Sequence, residues 1–328
     1  MEKISCQTMK SKLLRTNLLM LLTILFLMLP LTSGMAEVKG SFLYKLSNFT
    51  GTIPFSWVRV VPDKEMNEIY VVDTSEGAVR IFNNSGMEIY NFGDDGSIGY
   101  IYDIAVEEDG NLLVLSYKPA GNGLKPSILR CNYRGEEISE IDIKNLPSGF
   151  SGFSPIQISY RDGHLYMIDK NQMKVLVTDK NGLFENGYDL ASIIGLDEKK
   201  RADTGIVGFS IDREGNMFFT IPPLFKAYKL SPDRKLTAFG QRGGAPGKFN
   251  IVAGIVSDDK GYVYLTDTLK CAVMVFDKDF NFLSQFGYRG YDQGGLIAPR
   301  ELAVDGAGRI YVVQSARRGV SVFQVKID

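Results

Sequence analysis

Short apolar runs recur along the chain at a nearly constant interval, and a glycine-containing turn precedes most of them. Six such runs begin at residues 69, 112, 165, 217, 263 and 310, with steps of 43, 53, 52, 46 and 47 residues. A second apolar stretch stands before each run, and a third follows, at a fixed distance in five of the six copies. This pattern predicts six blades of a β-propeller, each with four antiparallel strands, labelled a to d outward.

The runs are continuously apolar rather than alternating. Continuous apolar strands indicate sheets that are covered on both faces, as a blade is when it packs between two neighbours. No run has the 3.6-residue period of a long amphipathic helix, and residues 189–201 hold at most a short one. The predicted fold class is therefore all-β.

The last repeat is incomplete, because five residues after Phe323 are too few for a turn and a strand d. The segment Phe42–Leu46 is similar to Phe282–Phe286, the strand d of the fifth repeat. We therefore expect the N-terminal segment to complete the sixth blade. Closure of the ring in this way removes exposed sheet edges.

Residues 1–36 have the organisation of a secretory signal peptide. Four basic residues precede the aliphatic stretch Leu18–Leu31, and small residues follow up to Ala36. The expected domains are a signal peptide at 1–36 and a single propeller at 37–328, exported to the periplasm or the exterior, with no membrane span after cleavage. An uncleaved signal anchor is the alternative, since residues 16–36 carry no charge.

The net charge and the cysteine content indicate whether nucleic-acid binding and a disulfide are expected. Removal of the leader takes four cations and one carboxylate, which changes the formal net charge from −1 to −4. A mildly acidic chain without a basic excess is not expected to bind nucleic acid. Cys131 and Cys271 fall in the second and fifth blades, too far apart for a disulfide, so both are predicted to be free and buried.

The segment 239–267 carries a resemblance to a known family. Its pattern, Phe-Gly-Gln-Arg-Gly-Gly-Ala-Pro-Gly-Lys-Phe followed by Gly254 and Asp258 and then Gly261–Asp267, resembles a full NHL repeat, and residues 286–311 form a second good copy. The resemblance covers residues 41–327 and implies a six-bladed propeller, of the kind found in exported bacterial proteins. The family includes sensors, scaffolds and a few enzymes, so the resemblance specifies the fold more than the function.

Three aspartates follow strand b in separate blades: Asp73, Asp169 and Asp267. In such repeats an aspartate at this position caps the backbone of the turn between strands b and c. We expect these carboxylates to be structural rather than ligand-binding.

This sequence does not carry the sets of metal-binding residues that related propeller enzymes use. The amidating lyases of this family hold zinc through several histidines, whereas this chain has one, His164. Gluconolactonase-like propellers surround calcium with acids and amides, whereas the inner-rim positions here offer two carboxylates and an arginine. No cofactor is expected, with calcium at the channel mouth retained as the alternative.

The d–a and b–c connections share one face, and there the sequence offers a candidate binding surface. Arg59, Asp103 and Glu301 belong to neighbouring blades one, two and six, and either line the channel mouth together or pair with one another structurally. The insertion at residues 117–124 rises from the same face. The remaining candidate residues are Trp57, Tyr102, Tyr117, Lys118 and Arg300.

These observations predict a non-catalytic, monomeric propeller outside the cytoplasm that binds a protein or glycan partner, since aromatics beside charges suit recognition. Two alternatives remain open. One is a metal-assisted hydrolase or lyase at the channel mouth. The other is a sensory ectodomain, if the leader stays as an anchor.

Overall fold

The computed structural model describes residues 38–55, 58–121 and 123–327. They form a six-bladed β-propeller of four-stranded antiparallel sheets, as the repeats predict. The predicted signal peptide at 1–36 and the candidate residue Trp57 lie outside the described residues.

Blades one to three follow one another along the chain, each with strands in the order a, b, c, d. Blade one consists of Val58–Asp63, Glu68–Asp73, Ala78–Phe82 and Glu88–Phe92. Blade two consists of Tyr100–Val106, Leu112–Ala120, Gly123–Cys131 and Glu137–Ile141. Blade three consists of Gln157–Arg161, His164–Asp169, Lys174–Asp179 and Phe184–Asp189. The insertion in blade two lengthens strands b and c into a projecting hairpin.

Blades four to six complete the ring. Blade four consists of Phe209–Ile211, Met217–Ile221, Lys226–Leu230 and Leu236–Phe239. Blade five consists of Val252–Ser257, Val263–Asp267, Ala272–Phe276 and Phe282–Phe286. Blade six consists of Pro299–Val304, Arg309–Gln314, Val320–Ile327 and, from the start of the chain, Val38–Lys45.

The N-terminal strand closes the propeller as expected. Val38–Lys45 pairs antiparallel with Val320–Ile327 along its whole length, with Val38 opposite Ile327 and Lys45 opposite Ser321. Phe42 packs edge-on against Phe323, with ring centroids 5.8 Å apart. The last sheet therefore joins both ends of the described chain, and its outer strand was correctly placed by the similarity of Phe42–Leu46 to blade five.

The hydrophobic core is divided among the blade interfaces. Six clusters of buried side chains occur, one between each pair of neighbouring blades. The contact between blades four and five, for example, includes Phe218, Phe239, Phe249 and Phe276. This arrangement explains why the strands are apolar on both faces.

Small elements lie between the blades. Two short helices, Leu190–Ile193 and Glu198–Ala202, occupy the connection from blade three to blade four, and Asp189 caps the first by accepting from the N–H of Ser192. Two 3-10 turns span Ser148–Phe150 and Pro222–Leu224. Two-stranded pairs form between Ser47–Asn48 and Gly51–Thr52, and between Tyr288–Arg289 and Gly295–Leu296.

The repeat aspartates cap the backbone as predicted. Asp73 accepts from the N–H of Ser75, and Asp169 from that of Gln172. Asp267 accepts from the N–H groups of Leu269 and Lys270 and also from the preceding blade connection.

Where the aspartate is missing, other residue types bind the incoming d–a connection. In blade six Gln314 accepts from the N–H of Ile297, and in blade two Ser116 donates to Ile98 O. Asp169 and Asp267 bind both the b–c turn and the incoming d–a connection.

Cys131 and Cys271 are free and buried, as predicted. Burial raises the pKa of the Cys131 thiol to about 11, so it stays protonated at neutral pH. Within residues 38–327, apart from the gaps given above, no helix has the length and apolarity to cross a membrane.

Candidate functional site

A cavity of about 1000 Å³ opens at the mouth of the central channel, on the face that carries the b–c and d–a connections. We call this face the top face and the cavity the well. Strands and connections of blades one, two, three and six line it. The charged and aromatic residues that line it are Arg59, Glu76, Asp94, Tyr100, Tyr102, Lys170, Arg300 and Glu301. Its volume is at the upper end of the range for small-ligand sites.

Asp103 joins three blades at the inner edge of the propeller. Its Oδ1 is 3.0 Å from Nε of Arg59 in blade one, and its Oδ2 accepts a 2.7 Å hydrogen bond from the N–H of Ile158 in blade three. Arg59 Nη2 also donates to Ile158 O at 3.3 Å. Arg59 Nε and Asp103 Oδ1 approach without the alignment of a hydrogen bond, so their contact is an ion pair.

Burial perturbs the Asp103 carboxyl. Its side chain is 0% exposed, and desolvation raises its pKa to about 6, while the Arg59 guanidinium and the N–H of Ile158 favour the charged form. Asp103 is not among the residues that line the well, whereas Arg59 is. The carboxyl therefore lies behind the guanidinium rather than at the surface of the well.

Glu301 pairs with a residue that the sequence did not single out. Its Oε1 is 3.4 Å from Nζ of Lys170, which also donates to Val207 O at 2.8 Å. Lys170 belongs to the b–c turn of blade three, so this pair reaches from blade six to blade three. The three predicted rim charges thus do not form one cluster: Arg59 binds Asp103, and Glu301 binds Lys170.

Gln157 is a second residue that the sequence did not single out as a binding candidate. It is buried at the start of strand a in blade three, where its Nε2 donates to Phe209 O of blade four at 2.9 Å. Its Oε1 has no hydrogen-bond partner among the described residues. Gln157 lines the well, so this acceptor is a polar group at its base.

Of the two aromatic candidates among the described residues, Tyr117 is buried and Tyr102 is partly exposed. Tyr117 donates from its hydroxyl to Pro155 O, and this hydroxyl lies 2.7 Å from Ser154 Oγ. It supports Tyr102, whose ring centroid is 4.5 Å away and which lines the well. Tyr100, which the sequence argument did not name, is 59% exposed and also borders the well.

Two charged candidates lie in different positions. Arg300 lines the well and donates from Nε to Ser315 Oγ at 2.8 Å. Lys118 lies on the projecting hairpin, 3.8 Å from Glu137 Oε2 and 4.0 Å from Glu140 Oε2, and it is not one of the lining residues. The structure therefore brings Arg59, Tyr102, Arg300 and Glu301 together and leaves Lys118 on the outer side of blade two.

The opposite wall of the channel, in blades four and five, is packed backbone to backbone. A Cβ on Gly208 would lie 2.2 Å from Ala253 O, and one on Gly254 would lie 2.5 Å from Arg300 O. Thr220 Oγ1 accepts from the N–H of Gly208 and donates to Ala253 O.

The same bridge occurs once more around the ring. Thr266 Oγ1 accepts from the N–H of Gly254 and donates to Arg300 O. Each threonine thus joins strand a of its own blade to strand a of the next. No space for a ligand remains where these two bridges lie.

The lower end of the channel also carries charge. Lys64 of blade one is 2.7 Å from Asp259 Oδ1 of blade five. Burial lowers the pKa of Arg161 in blade three, which lies near Asp259, Asp162 and Asp212. These groups link blades one, three and five at the end of the channel remote from the well.

Metal-ligating side chains are dispersed. Among the described residues, no three His, Cys, Asp or Glu side chains come together in a group suited to hold a metal ion. His164 begins strand b of blade three, and its Nδ1 is 2.6 Å from Glu185 Oε2, on the strand end opposite the well.

No family model matches the chain, and no curated protein is similar to it in sequence. Solved structures with the same fold include a protein of unknown function from Bacteroides thetaiotaomicron, which is 13% identical with a TM-score of 0.63 over 88% of this chain and 77% of that one. Virginiamycin B lyase from Staphylococcus aureus is 10% identical with a TM-score of 0.56, over 89% of this chain and 100% of the lyase. A gluconolactonase from Xanthomonas campestris is 14% identical with a TM-score of 0.53, over 89% and 91%. At such identities the likeness shows the six-bladed fold alone.

Proposed function

We propose that this protein is a non-catalytic recognition platform that binds a protein or glycan partner through the top face, with a group of the partner entering the well. One observation carries this proposal: the carboxylates at the inner rim of the well are already held by protein partners. Asp103 is held by Arg59 and Ile158, and Glu301 by Lys170. Accessible aromatic surface at Tyr100 and Tyr102 is left for contact, as in recognition sites.

The rest of the assignment follows the sequence. Export through the leader at 1–36, a monomeric state, the absence of a resident cofactor and the NHL type of the repeats are parts of the same proposal. Amino-terminal sequencing of the mature protein tests export. A start near Glu37 supports it, and retention of residues 1–36 favours the sensory ectodomain instead.

Affinity capture from an extract of the native host tests the recognition role. We expect the mature protein to retain a partner that Tyr100→Ala releases. Tyr133→Ala is the matched control, because Tyr133 is also 59% exposed but lies in a c–d turn on the opposite face. A captured set that is the same for all three proteins contradicts the proposal.

A hydrolase or lyase at the channel mouth is the second candidate. The raised pKa of Asp103, about 6, favours it, because perturbed carboxyls mark many catalytic sites. Proteins of similar fold include a lyase and a gluconolactonase. The position of Asp103 behind Arg59 argues against direct contact with a substrate. Metal analysis of the purified mature protein separates the two: stoichiometric calcium or zinc supports the enzyme.

A further inference from the structure

Charge is distributed unevenly among the top-face connections. In blades four to six these connections comprise residues 222–225, 240–251, 268–271, 287–298 and 315–319. They carry six cations and one acid, Asp292, which accepts from the Tyr288 hydroxyl. Two further cations, Lys226 and Arg300, lie within the first two residues of the strands that follow, which makes eight in this sector. The connections of blade one, at 74–77 and 93–99, carry the acids Glu76, Asp94 and Asp95 and no cation. A chain with formal net charge −1 therefore presents a strongly basic sector on this face.

Six of the eight cations define what we call the basic arc: Lys226, Arg242, Lys248, Lys270, Arg289 and Arg318. Among the described residues, none of these six forms an ion pair with a carboxylate. The nearby Asp267 is buried and accepts from four backbone N–H groups. Asp267 acts electrostatically on Lys270 but forms no ion pair with it, so the basic arc keeps most of its positive charge.

Contacts to backbone carbonyls and aromatic rings make the basic arc continuous. Lys226 Nζ donates to Gly240 O, and Lys270 Nζ donates to Ala245 O, so both lysines hold the connection between blades four and five. Arg289 donates to Leu269 O across blade five. Arg242 lies over the Phe225 ring, 5.0 Å from its centre. Because these cations contact neighbouring connections, the arc extends from blade four to blade six.

The blade-six end of the basic arc is crowded with cations. Arg318 Nη2 donates to Tyr291 O, and its guanidinium lies 5.0 Å from the centre of the Tyr291 ring. Burial and the charge of Arg318 together lower the pKa of Lys45. Like-charge crowding of this kind costs free energy in the unbound protein and is relieved by an acidic partner.

Exposed aromatic side chains accompany the blade-six end of the arc. Tyr291 is 75% exposed on the connection between blades five and six. Phe49 is 95% exposed at the tip of the hairpin formed by Ser47–Asn48 and Gly51–Thr52. The residues after this hairpin lie against the b–c turn of blade six, where Ile53 O is close to Gly319 and Phe55 O accepts from the N–H of Gly319. Exposed tyrosine, phenylalanine and arginine together have the composition of a protein interface.

We propose that the basic arc binds an acidic surface or segment of the partner protein. This inference rests on the proposed recognition function and names the chemistry of its partner. A flat anionic membrane fits less well, because the same face carries Glu76, Asp94 and Asp95, which lipid phosphates would repel. A protein partner whose acidic groups cover blades four to six alone avoids that repulsion.

The test measures binding of the mature protein to poly-L-glutamate, with poly-L-lysine as the control of opposite sign. We expect saturable binding of poly-L-glutamate that weakens as salt rises from about 0.1 M to about 1 M, where screening is nearly complete. The triple variant Arg242→Glu, Lys248→Glu and Arg289→Glu should bind about tenfold more weakly or worse.

The matched control reverses three exposed lysines of the opposite face, Lys235→Glu, Lys260→Glu and Lys278→Glu. It changes net charge equally and should bind as the wild type does. Equal weakening in both triple variants, or none in either, overturns the proposal. Melting curves confirm that both variants are folded.

Two further measurements separate the alternatives. Sedimentation with phosphatidylglycerol vesicles that depends on the basic arc, without binding of poly-L-glutamate, replaces the acidic protein with a membrane and overturns the proposal. Tyr100→Ala should leave poly-L-glutamate binding unchanged while it releases the captured host partner. If the arc variants keep that partner but Tyr100→Ala loses it, only the arc proposal fails; if neither loses it, the recognition function fails.

Discussion

The two sides of the central channel differ in how neighbouring blades pack at the inner rim. In blades four and five, glycines at 208 and 254 let neighbouring strands approach until a Cβ has no room, and threonine hydroxyls bridge them. In blades one, two, three and six, the side chains of Arg59, Asp103, Gln157 and Glu301 occupy the corresponding positions, and a cavity opens beside them. The blades are equivalent in topology, so the side chains at the inner rim decide which part of the ring is closed and which part is open to a ligand.

The largest expected effect breaks the closed wall. Gly254→Ala places a methyl group 2.5 Å from Arg300 O and 2.6 Å from Leu302 Cδ2, so strands of two blades must separate. We expect a loss of about 3 kcal/mol in the free energy of unfolding, as for other overpacked buried sites. Gly244→Ala is the control, because nothing lies within 4 Å of its added Cβ. Urea denaturation measures both, and equal stabilities contradict the close-packed wall.

The second prediction concerns Asp103, the buried carboxyl on the open side of the channel, and how the free energy of unfolding depends on pH. The pKa of Asp103 is raised to about 6, so the folded state holds this proton more tightly than the unfolded chain. Protonation therefore stabilises the fold between about pH 4 and pH 6, and this contribution is lost as pH rises through that window. Relative to Asp103→Asn, the wild type should lose about 2 to 3 kcal/mol from pH 4 to pH 7.

Denaturation curves of the wild type and Asp103→Asn across this range make the measurement. Asp94→Asn, at an exposed carboxylate on the rim of the well, is the control and should follow the wild type. Parallel profiles for the wild type and Asp103→Asn would show that the burial of Asp103 is wrongly placed.

The third prediction is an intermediate loss of stability when a threonine bridge of the closed wall is removed. Thr220→Val keeps the shape of the side chain but leaves the N–H of Gly208 and the carbonyl of Ala253 without their hydroxyl partner. We expect a cost of about 1–3 kcal/mol, typical of buried polar groups left unsatisfied. Thr237→Val, on an exposed site of strand d in the same blade, should cost far less. A comparison of the two melting temperatures decides whether the bridge holds the closed wall.

The smallest effect concerns the pair that spans the open side. Glu301→Gln removes the charge opposite Lys170, but both side chains are partly exposed, at 30% and 15%. We expect a change of about 0.5 kcal/mol or less, further reduced by salt. A loss as large as that from Thr220→Val would show that this pair holds the channel together rather than lining a binding site.

The sequence predicted the architecture because the blade repeat is a local pattern. The run Ile310–Val313 and its five equivalents fix strand b, glycine turns fix strand a, and the similarity of Phe42–Leu46 to Phe282–Phe286 fixes the closing strand. The caps at Asp73, Asp169 and Asp267 were predictable for the same reason, since an Asx turn depends on neighbouring residues.

The site was predicted less completely because its contacts join distant blades. Arg59 and Asp103 were expected near each other and form an ion pair, but Glu301 pairs with Lys170, which belongs to blade three across the channel. Lys170 follows the repeat aspartate Asp169 directly, and that position on the top face was the available signal. Tyr117 was expected at the surface, yet it is buried because Ser154 and Pro155, from the next connection, cover it.

The basic arc was not predicted from the sequence, for a related reason. Its cations are separated by up to about ninety residues, and the chain as a whole is slightly acidic. Only the assignment of loops to one face gathers Lys226, Arg242, Arg289 and Arg318 into a single surface. Net charge of a chain therefore describes its solubility better than the charge of any one face.

Site-specific photocrosslinking tests most directly whether the open side of the channel is where recognition takes place. A photoreactive phenylalanine analogue would replace Tyr100 at the well or, separately, Tyr133 on the opposite face, and each protein would be irradiated in an extract of the native host. We predict one saturable crosslinked partner from position 100, competed by unlabelled wild type, and none from position 133. Equal crosslinking from both positions, or a partner found from position 133 alone, would contradict a binding site in the well.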